Sequence, residues 1–363
     1  MSRNAPHPSS AVEGYYSKFD LPNGSHIILV ICTVRVATDP NRMYMVSFTY
    51  HPPELTFEPS TGSANAIWQR QYWDKTIHMR RTPNSISRHA FELDVPGCGY
   101  VRWKGDGRVE YDLCFNDFRF QASIVREQGW DGEGIGAMRE SSPEGWLSIL
   151  PIPLHWHVSS LRSRGTCSLK IVSNAIPQHI ATRGDEEVLV HTEKNWGNSF
   201  PQSHMWVQAR CEGRSSICLA GGAVIPGVKA FLAGYRSADL KLDFRPPFAM
   251  QLLGISPFLS SRSDWGSRTF ELDIRTFTSR MVVKAKAPPD SFFTLGAPFP
   301  EGHRESALGQ SFMSTLDVTI YRRPFIFMQW QEVRREAFER ASLEFGGAYF
   351  GGFDTSGSKM KSL

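Results

Sequence analysis

The sequence lacks the marks of several large protein classes. Its six cysteines, Cys32, Cys98, Cys114, Cys167, Cys211 and Cys218, include no Cys-x-x-Cys pair, so a zinc ribbon or thioredoxin-type site has no framework. The longest apolar run, residues 27–36, is broken by Thr33 and Arg35 and is too short to cross a bilayer. The opening residues MSRNAPHPSSAVEG carry no apolar stretch of a secretory signal. A cytoplasmic protein without a membrane span is expected, with its thiols buried rather than paired.

Charge of one sign is also missing. Forty Lys+Arg stand against 36 Asp+Glu, a net charge of +4 over 363 residues. Nucleic-acid binders carry a basic stripe or a strong basic excess, so nucleic acid is not an expected partner. Arg322-Arg323 and Arg334-Arg335 read as ordinary solvated charge. The near-neutral balance is compatible with a homodimer. Nucleotide signatures fail as well. Gly227 is followed by Val228-Lys229 rather than Lys-Ser/Thr, Gly132 to Gly136 lack dinucleotide-binding spacing, and no Gly-x-Ser-x-Gly elbow occurs. No cofactor is expected.

What the chain does have is aromatic side chains and strand patterns. Ten Trp and 24 Phe, within a 41% hydrophobic and 21% charged composition, fit a globular chain whose aromatics fill a core or line a pocket for an apolar ligand. Strands are predicted at residues 25–36, 89–95, 100–103, 109–115, 167–172, 205–211, 268–277, 280–287 and 313–321. Asn23-Gly24 reads as a hairpin turn. One helix is predicted over 328–343, where Trp330, Val333, Ala337 and Ala341 share a helical face. The tail 355–363 reads as disordered. Phe91-Glu92-Leu93-Asp94 recurs as Phe270-Glu271-Leu272-Asp273, about half the chain later. Glu13-Gly14-Tyr15-Tyr16 and Glu193-Lys194-Asn195-Trp196 share a Glu-x-x-aromatic outline at nearly the same offset. The reading is an all-β protein of two tandem antiparallel domains, 1–180 and 181–363, with the boundary in the polar segment near residue 180.

The segment from His191 to Pro201, HTEKNWGNSFP, followed by Trp206-Val207-Gln208, resembles the tocopherol cyclase family, which carries a Glu-Lys-Asn-Trp-Gly block, then Phe-Pro, then a Trp-rich strand ending in Gln. Glu13-Gly14-Tyr15-Tyr16-Ser17-Lys18 resembles that family's opening Glu-Gly-Trp-Tyr-Phe-Lys, with Tyr15 in place of Trp. Pro153-Leu154-His155-Trp156 and Leu343-Glu344-Phe345-Gly346-Gly347 resemble two further blocks. The resemblance implies two tandem lipocalin-like (calycin-like) β-barrels, the predicted helix lying in the second. It also implies closure of an oxygen ring on a hydrophobic substrate. Tocopherol cyclases close a chroman from a prenylated quinol. Similar fungal double barrels join a quinone methide to a terpene alkene by hetero-Diels–Alder addition, giving a dihydropyran. The expected activity is therefore that of a cofactor-independent cyclase, most readily a hetero-Diels–Alderase of meroterpenoid secondary metabolism. The alternatives are a lipid or terpenoid carrier and an isoprenoid hydratase or dehydratase.

Ring closure needs an apolar pocket, a donor for the oxygen that gains charge, and walls that tolerate cationic carbon. Glu193, Lys194, Asn195, His155 and His157 are the candidate catalytic groups. Tyr15, Tyr16, Trp68, Trp196, Phe200, Trp206 and Gln208 are the candidate substrate-binding groups. In a strand Glu193 and Asn195 share one face, Lys194 and Trp196 the other. Glu193 reads more readily as the structural ion partner of Lys194. His155 and His157 share a face, but the next carboxylate is Asp185, so no metal ligand set is complete and no metal is expected.

Overall fold

The computed structural model describes residues 3–55, 66–81, 89–125, 128–131, 142–174, 176–211 and 215–351. The expected disordered tail and the glycines 132–136 lie outside them. The chain divides into two compact units, Met1–Phe200 with Pro298–His303, and Pro201–Ala297 with Arg304–Leu363. That division falls at Phe200–Pro201, beyond the polar segment near residue 180 where composition places it.

The first unit is one eleven-stranded antiparallel sheet. Its strands are β1 (Val12–Asp20), β2 (His26–Val34), β3 (Tyr44–His51), β4 (Trp68–Tyr72), β5 (His78–Arg81), β6 (Phe91–Val95), β7 (Gly99–Trp103), β8 (Val109–Cys114), β9 (Phe118–Ile124), β10 (Leu154–Ile171) and β11 (Glu186–Gly197). They follow the order β4-β3-β2-β1-β11-β10-β9-β8-β7-β6-β5. Alternation puts one side chain in two on the inner face. Trp68 on β4 meets Phe118 on β9 with ring centroids 5.3 Å apart, and Tyr15 on β1 meets Trp103 on β7 at 5.5 Å. Strands so distant in the order touch only because the sheet curls over its own core, the lipocalin-like arrangement. Phe19, Phe48, Phe91, Phe118 and Phe120 fill that core, all fully buried.

The second unit repeats the plan with β12 (Ser203–Cys211), β13 (Ser215–Ile225), β14 (Val228–Ser237), β15 (Lys241–Phe244), β16 (Met250–Leu252), β17 (Leu259–Asp264), β18 (Thr269–Arg275), β19 (Ser279–Lys286), β20 (Phe293–Phe299), β21 (Gly302–Arg322) and β22 (Gln331–Gly347). The main order is β15-β14-β13-β12-β22-β21-β19-β18-β17, with β16 on β14 and β20 on β21. Phe231 on β14 meets Phe270 on β18 at 6.0 Å across its core.

Of the two sequence repeats, the Phe-Glu-Leu-Asp pair lies on β6, five strands beyond β11, and on β18, three strands beyond β22, so it does not mark equivalent strands. Nor does the Glu-x-x-aromatic pair. Its two copies are adjacent antiparallel strands of one sheet, with Glu13 opposite Trp196 and Tyr16 opposite Glu193.

The predicted helix over 328–343 is replaced by β22, and the described residues contain no α-helix. The four residues of the predicted helical face do not share a face of the strand: Val333 and Ala337 are exposed, whereas Ala341 is buried. A bulge separates them. The β21–β22 register slips between Ser314↔Ala341 and Leu316↔Phe338, and Arg340 between them has φ 56°. The inserted residue shifts the alternation by one, so Ala341 joins Phe338 in the core.

Candidate active site in the first barrel

Three neighbouring strands of the first unit present one polar cluster on the inner face. On β11 these are Lys194 and Trp196. Tyr15 on β1 lies opposite Lys194, and Glu13 opposite Trp196. On β10 His157 lies opposite Lys194, and His155 opposite Trp196. Gly197 lets the strands close here: a Cβ at this position would stand 2.2 Å from the Pro153 carbonyl oxygen. β9 pairs with the second half of β10, Gly165–Ile171, and among the described residues no strand pairs with that edge of the first half. Glu144 caps it, its Oε1 accepting from the Trp156 amide at 2.7 Å and its Oε2 lying 3.1 Å from His155 Nδ1.

The centre of the cluster is an ion pair with no solvent exposure on either side chain, Lys194 Nζ to Glu13 Oε1 at 2.6 Å. Arg35 Nη2 donates to Glu13 Oε2 at 2.5 Å. The His7 amide and the Tyr15 hydroxyl donate to Oε1 at 2.8 and 3.3 Å. Lys194 also donates to the Ala5 carbonyl at 2.5 Å and to His7 Nδ1 at 2.8 Å, so residues 4–7 cover its head. The ammonium lies 4.9 Å from the Tyr15 ring centre and 5.1 Å from that of Trp196. Trp196 stacks on His7 at 4.4 Å and on His155 at 5.0 Å.

These contacts set the protonation states. Burial alone would raise the Glu13 pKa, but the His7 and Lys194 interactions and the Arg35 hydrogen bond together outweigh it and hold the carboxyl well below the usual carboxylate range. Burial, aided by Arg35 and Arg81, brings Lys194 down to about 8 against the pull of Glu13. Burial, with Arg3, Lys194 and His7 adding to it, depresses His157 to about 3. His7 is lowered too, by burial first. At neutral pH the cluster is thus carboxylate, ammonium and guanidinium with a neutral His157. Such cationic surroundings disfavour a metal ion at His155 and His157, and His155 Nδ1 is already engaged by Glu144.

A pocket of about 480 Å³ adjoins the cluster, lined by Thr33, Arg35, Tyr44, Met79, Arg80 and Arg81 among others and, among the described residues, by no carboxylate. Arg35 joins the two, paired with the buried carboxylate yet 28% exposed. One of its bonds goes only to the Met79 sulfur, at 3.3 Å.

Of the sequence candidates, the structure brings together Lys194, Trp196, Tyr15, His155 and His157. Glu193 and Asn195 project from the opposite face of β11, as does Tyr16 from β1. Glu193 is therefore not the ion partner of Lys194, and its carboxylate instead lies 3.1 Å from His191 Nε2. Trp68 packs in the core against Phe48 and Phe118. Phe200 follows β11 at the end of the unit. Trp206 and Gln208 belong to β12 in the second unit, out of phase with its core residues Met205 and Val207, and Gln208 Oε1 accepts from Ser342 Oγ at 3.3 Å. Sequence reasoning missed Glu13, His7, Arg35 and Glu144. Glu13 stands inside the Glu-Gly-Tyr-Tyr-Ser-Lys block and could have been found there. His7, Arg35 and Glu144 carry no motif.

The first unit is thus a curled antiparallel sheet with an aromatic interior and a buried ionic cluster beside a pocket. The chain belongs to the tocopherol cyclase-like family, whose model matches residues 9–347. It is 27% identical to the chloroplastic tocopherol cyclase of Zea mays over 150 residues, 39% of this chain and 29% of that protein. It is 28% identical to the probable chloroplastic tocopherol cyclase of Oryza sativa subsp. japonica over 130 residues, 34% of this chain and 25% of that one. The matched stretches thus span under a third of those relatives. Similar solved structures include kievitone hydratase from Nectria haematococca, with TM-score 0.52 at 11% identity over 96% of this chain and 92% of that one. Another is CghA with Sch210972, with TM-score 0.55 at 9% identity over 93% and 88%. At these identities the likeness is one of fold.

Proposed function

We propose that this protein is an enzyme of the cyclase type, which forms a dihydropyran or chroman ring from a hydrophobic phenolic, quinone-methide or terpenoid substrate without a cofactor. The observation that carries the reading is the buried Glu13–Lys194 pair extended by Arg35 to a pocket that also holds Arg80 and Arg81. The substrate oxygen sits at Arg35, displacing the weak Met79 contact, while Lys194 adds positive field from behind. Such a donor, preorganised for the oxygen that gains charge, is worth about 3–4 kcal/mol. Holding the two reacting ends together contributes up to about 7–11 kcal/mol more. Tyr15 and Trp196 are the surfaces suited to positive charge on carbon.

The protonation states favour hetero-Diels–Alder closure over acid-initiated closure. The oxadiene C=C–C=O and an alkene form one C–C and one C–O bond as three π bonds become one, and no proton is needed. A hydratase or an acid-initiated cyclase must protonate an alkene. Glu13 is held ionised, and Lys194 at about 8 is a weak acid for that step. Glu193 and Asn195 take no part in this reading, because they face away from the cluster.

The test is incubation of EDTA-treated protein with a quinone-methide precursor plus a terpene alkene, and separately with a prenylated quinol, read by chiral chromatography and mass spectrometry. A single-enantiomer oxygen heterocycle formed faster than the blank is the expected result. Unchanged material, or a racemic product at the blank rate, with ligand still bound to the protein would make the protein a carrier.

A further inference from the structure

At one end of the second unit's sheet, the β18–β19 and β21–β22 turns carry an apolar surface. Phe325, Ile326, Phe327 and Met328 are consecutive and 70%, 42%, 98% and 48% exposed, and Phe277 in the neighbouring turn is 46% exposed. The turns are tied together: Arg323 donates its amide to the Thr278 carbonyl at 3.0 Å and its Nε to the Phe277 carbonyl at 2.7 Å. Phe277 rests edge-on against Phe248 and Phe258 at 5.3 and 5.4 Å, so the platform is firm. Four consecutive exposed apolar side chains serve no core and mark an interaction site.

The charge around this surface has one sign. No Asp or Glu occurs in residues 274–280 or 318–331, whereas Arg275, Arg280, Arg322 and Arg323 do. Arg280 is paired with Asp273 and Arg335 with Glu332, below the tip. Arg323 stacks on Trp330 at 4.1 Å, and Arg322 has no carboxylate partner among the described residues. The surface is a protruding hairpin tip of aromatic and aliphatic side chains above a collar of arginines, the composition that enters the headgroup boundary of an anionic bilayer.

We propose that this end of the second unit docks onto an anionic lipid surface, with Phe325, Ile326 and Phe327 inserted and Arg322 and Arg323 on lipid phosphates. The argument does not depend on the proposed reaction. Docking would give access to molecules dissolved in the bilayer.

The test is co-sedimentation of the full chain with phosphatidylcholine vesicles, with and without about 30% phosphatidylserine. Wild type is expected to pellet with the phosphatidylserine vesicles. Phe325→Ser with Phe327→Ser should lower partition by about tenfold or more. Arg322→Gln with Arg323→Gln should lower it by about fivefold per arginine and abolish the preference for phosphatidylserine. Unchanged melting temperatures would show that both variants are folded. Failure of wild type to pellet, equal partition into both vesicles, or variants that bind like wild type would overturn the proposal. So would a concentration-dependent dimer of wild type that the Phe pair abolishes, which would make the surface a self-interface.

Discussion

Replacing Glu13 by glutamine leaves two cations, Lys194 and Arg35, without their shared counter-charge. Both side chains of the Glu13–Lys194 pair are fully buried, and removing one partner of such a pair costs about 3–5 kcal/mol. For a unit of this size that corresponds to a fall in Tm of roughly 6–20 °C. The pH dependence makes the prediction specific. Glu13 titrates lower in the folded protein than its ordinary 4.5, so its stabilisation is complete above that pH and fades as pH falls below it. The deficit of Glu13→Gln therefore shrinks in acid. It also shrinks as pH rises towards 8. Lys194, deprived of Glu13, is pulled below its value of about 8, and a lysine depressed in the folded state gains stability with rising pH. Thermal unfolding followed by circular dichroism from pH 3 to 9 is the assay. Glu13→Gln with Lys194→Gln should be less destabilised than the sum of the single changes. A single-variant Tm within about 2 °C of wild type, or strict additivity, would refute the buried-pair reasoning.

Two further outcomes follow from the same geometry. His157 is depressed to about 3 by burial and by Arg3, Lys194 and His7, so the unfolded chain takes up its proton first as pH falls below 6.5. Wild-type stability should decline from pH 6.5 towards 3, and His157→Gln should flatten that part of the Tm–pH curve. Gly197→Ala places a methyl 2.2 Å from the Pro153 carbonyl oxygen. Denaturant unfolding should show a loss of about 1–3 kcal/mol.

The fold class was legible because strand alternation and turn residues are local. Every predicted strand overlaps an observed one. The helix over 328–343 failed because the spacing of Trp330, Val333, Ala337 and Ala341 fits a helical period, whereas in β22 Val333 and Ala337 are exposed and only the bulge at Arg340 turns Ala341 to the core. The site was legible in part: alternation puts Lys194 and Trp196 on one face of β11 and His155 and His157 on one face of β10, and the family resemblance pointed to Tyr15 on β1. The missed partners Glu13, Arg35, His7 and Glu144 come from β1, the end of β2, the segment 4–7 and the turn before β10, which only the sheet order brings together. The pairing of β1 with β11 is a long-range event with no local signal. The arginines at 322 and 323 read as solvated charge because nothing in the sequence says that the apolar residues after them are exposed.

The most direct test of the central claim is single-turnover ring closure of a quinone methide with a terpene alkene by Arg35→Gln and Arg35→Lys. Arg35 is the member of the ionic cluster that reaches the pocket, while Lys194 remains to hold Glu13. The account predicts that Arg35→Gln slows closure by about 10²–10³ while substrate still binds, and that Arg35→Lys restores part of the rate. An unchanged rate in Arg35→Gln, or a loss explained wholly by weaker binding, would contradict it.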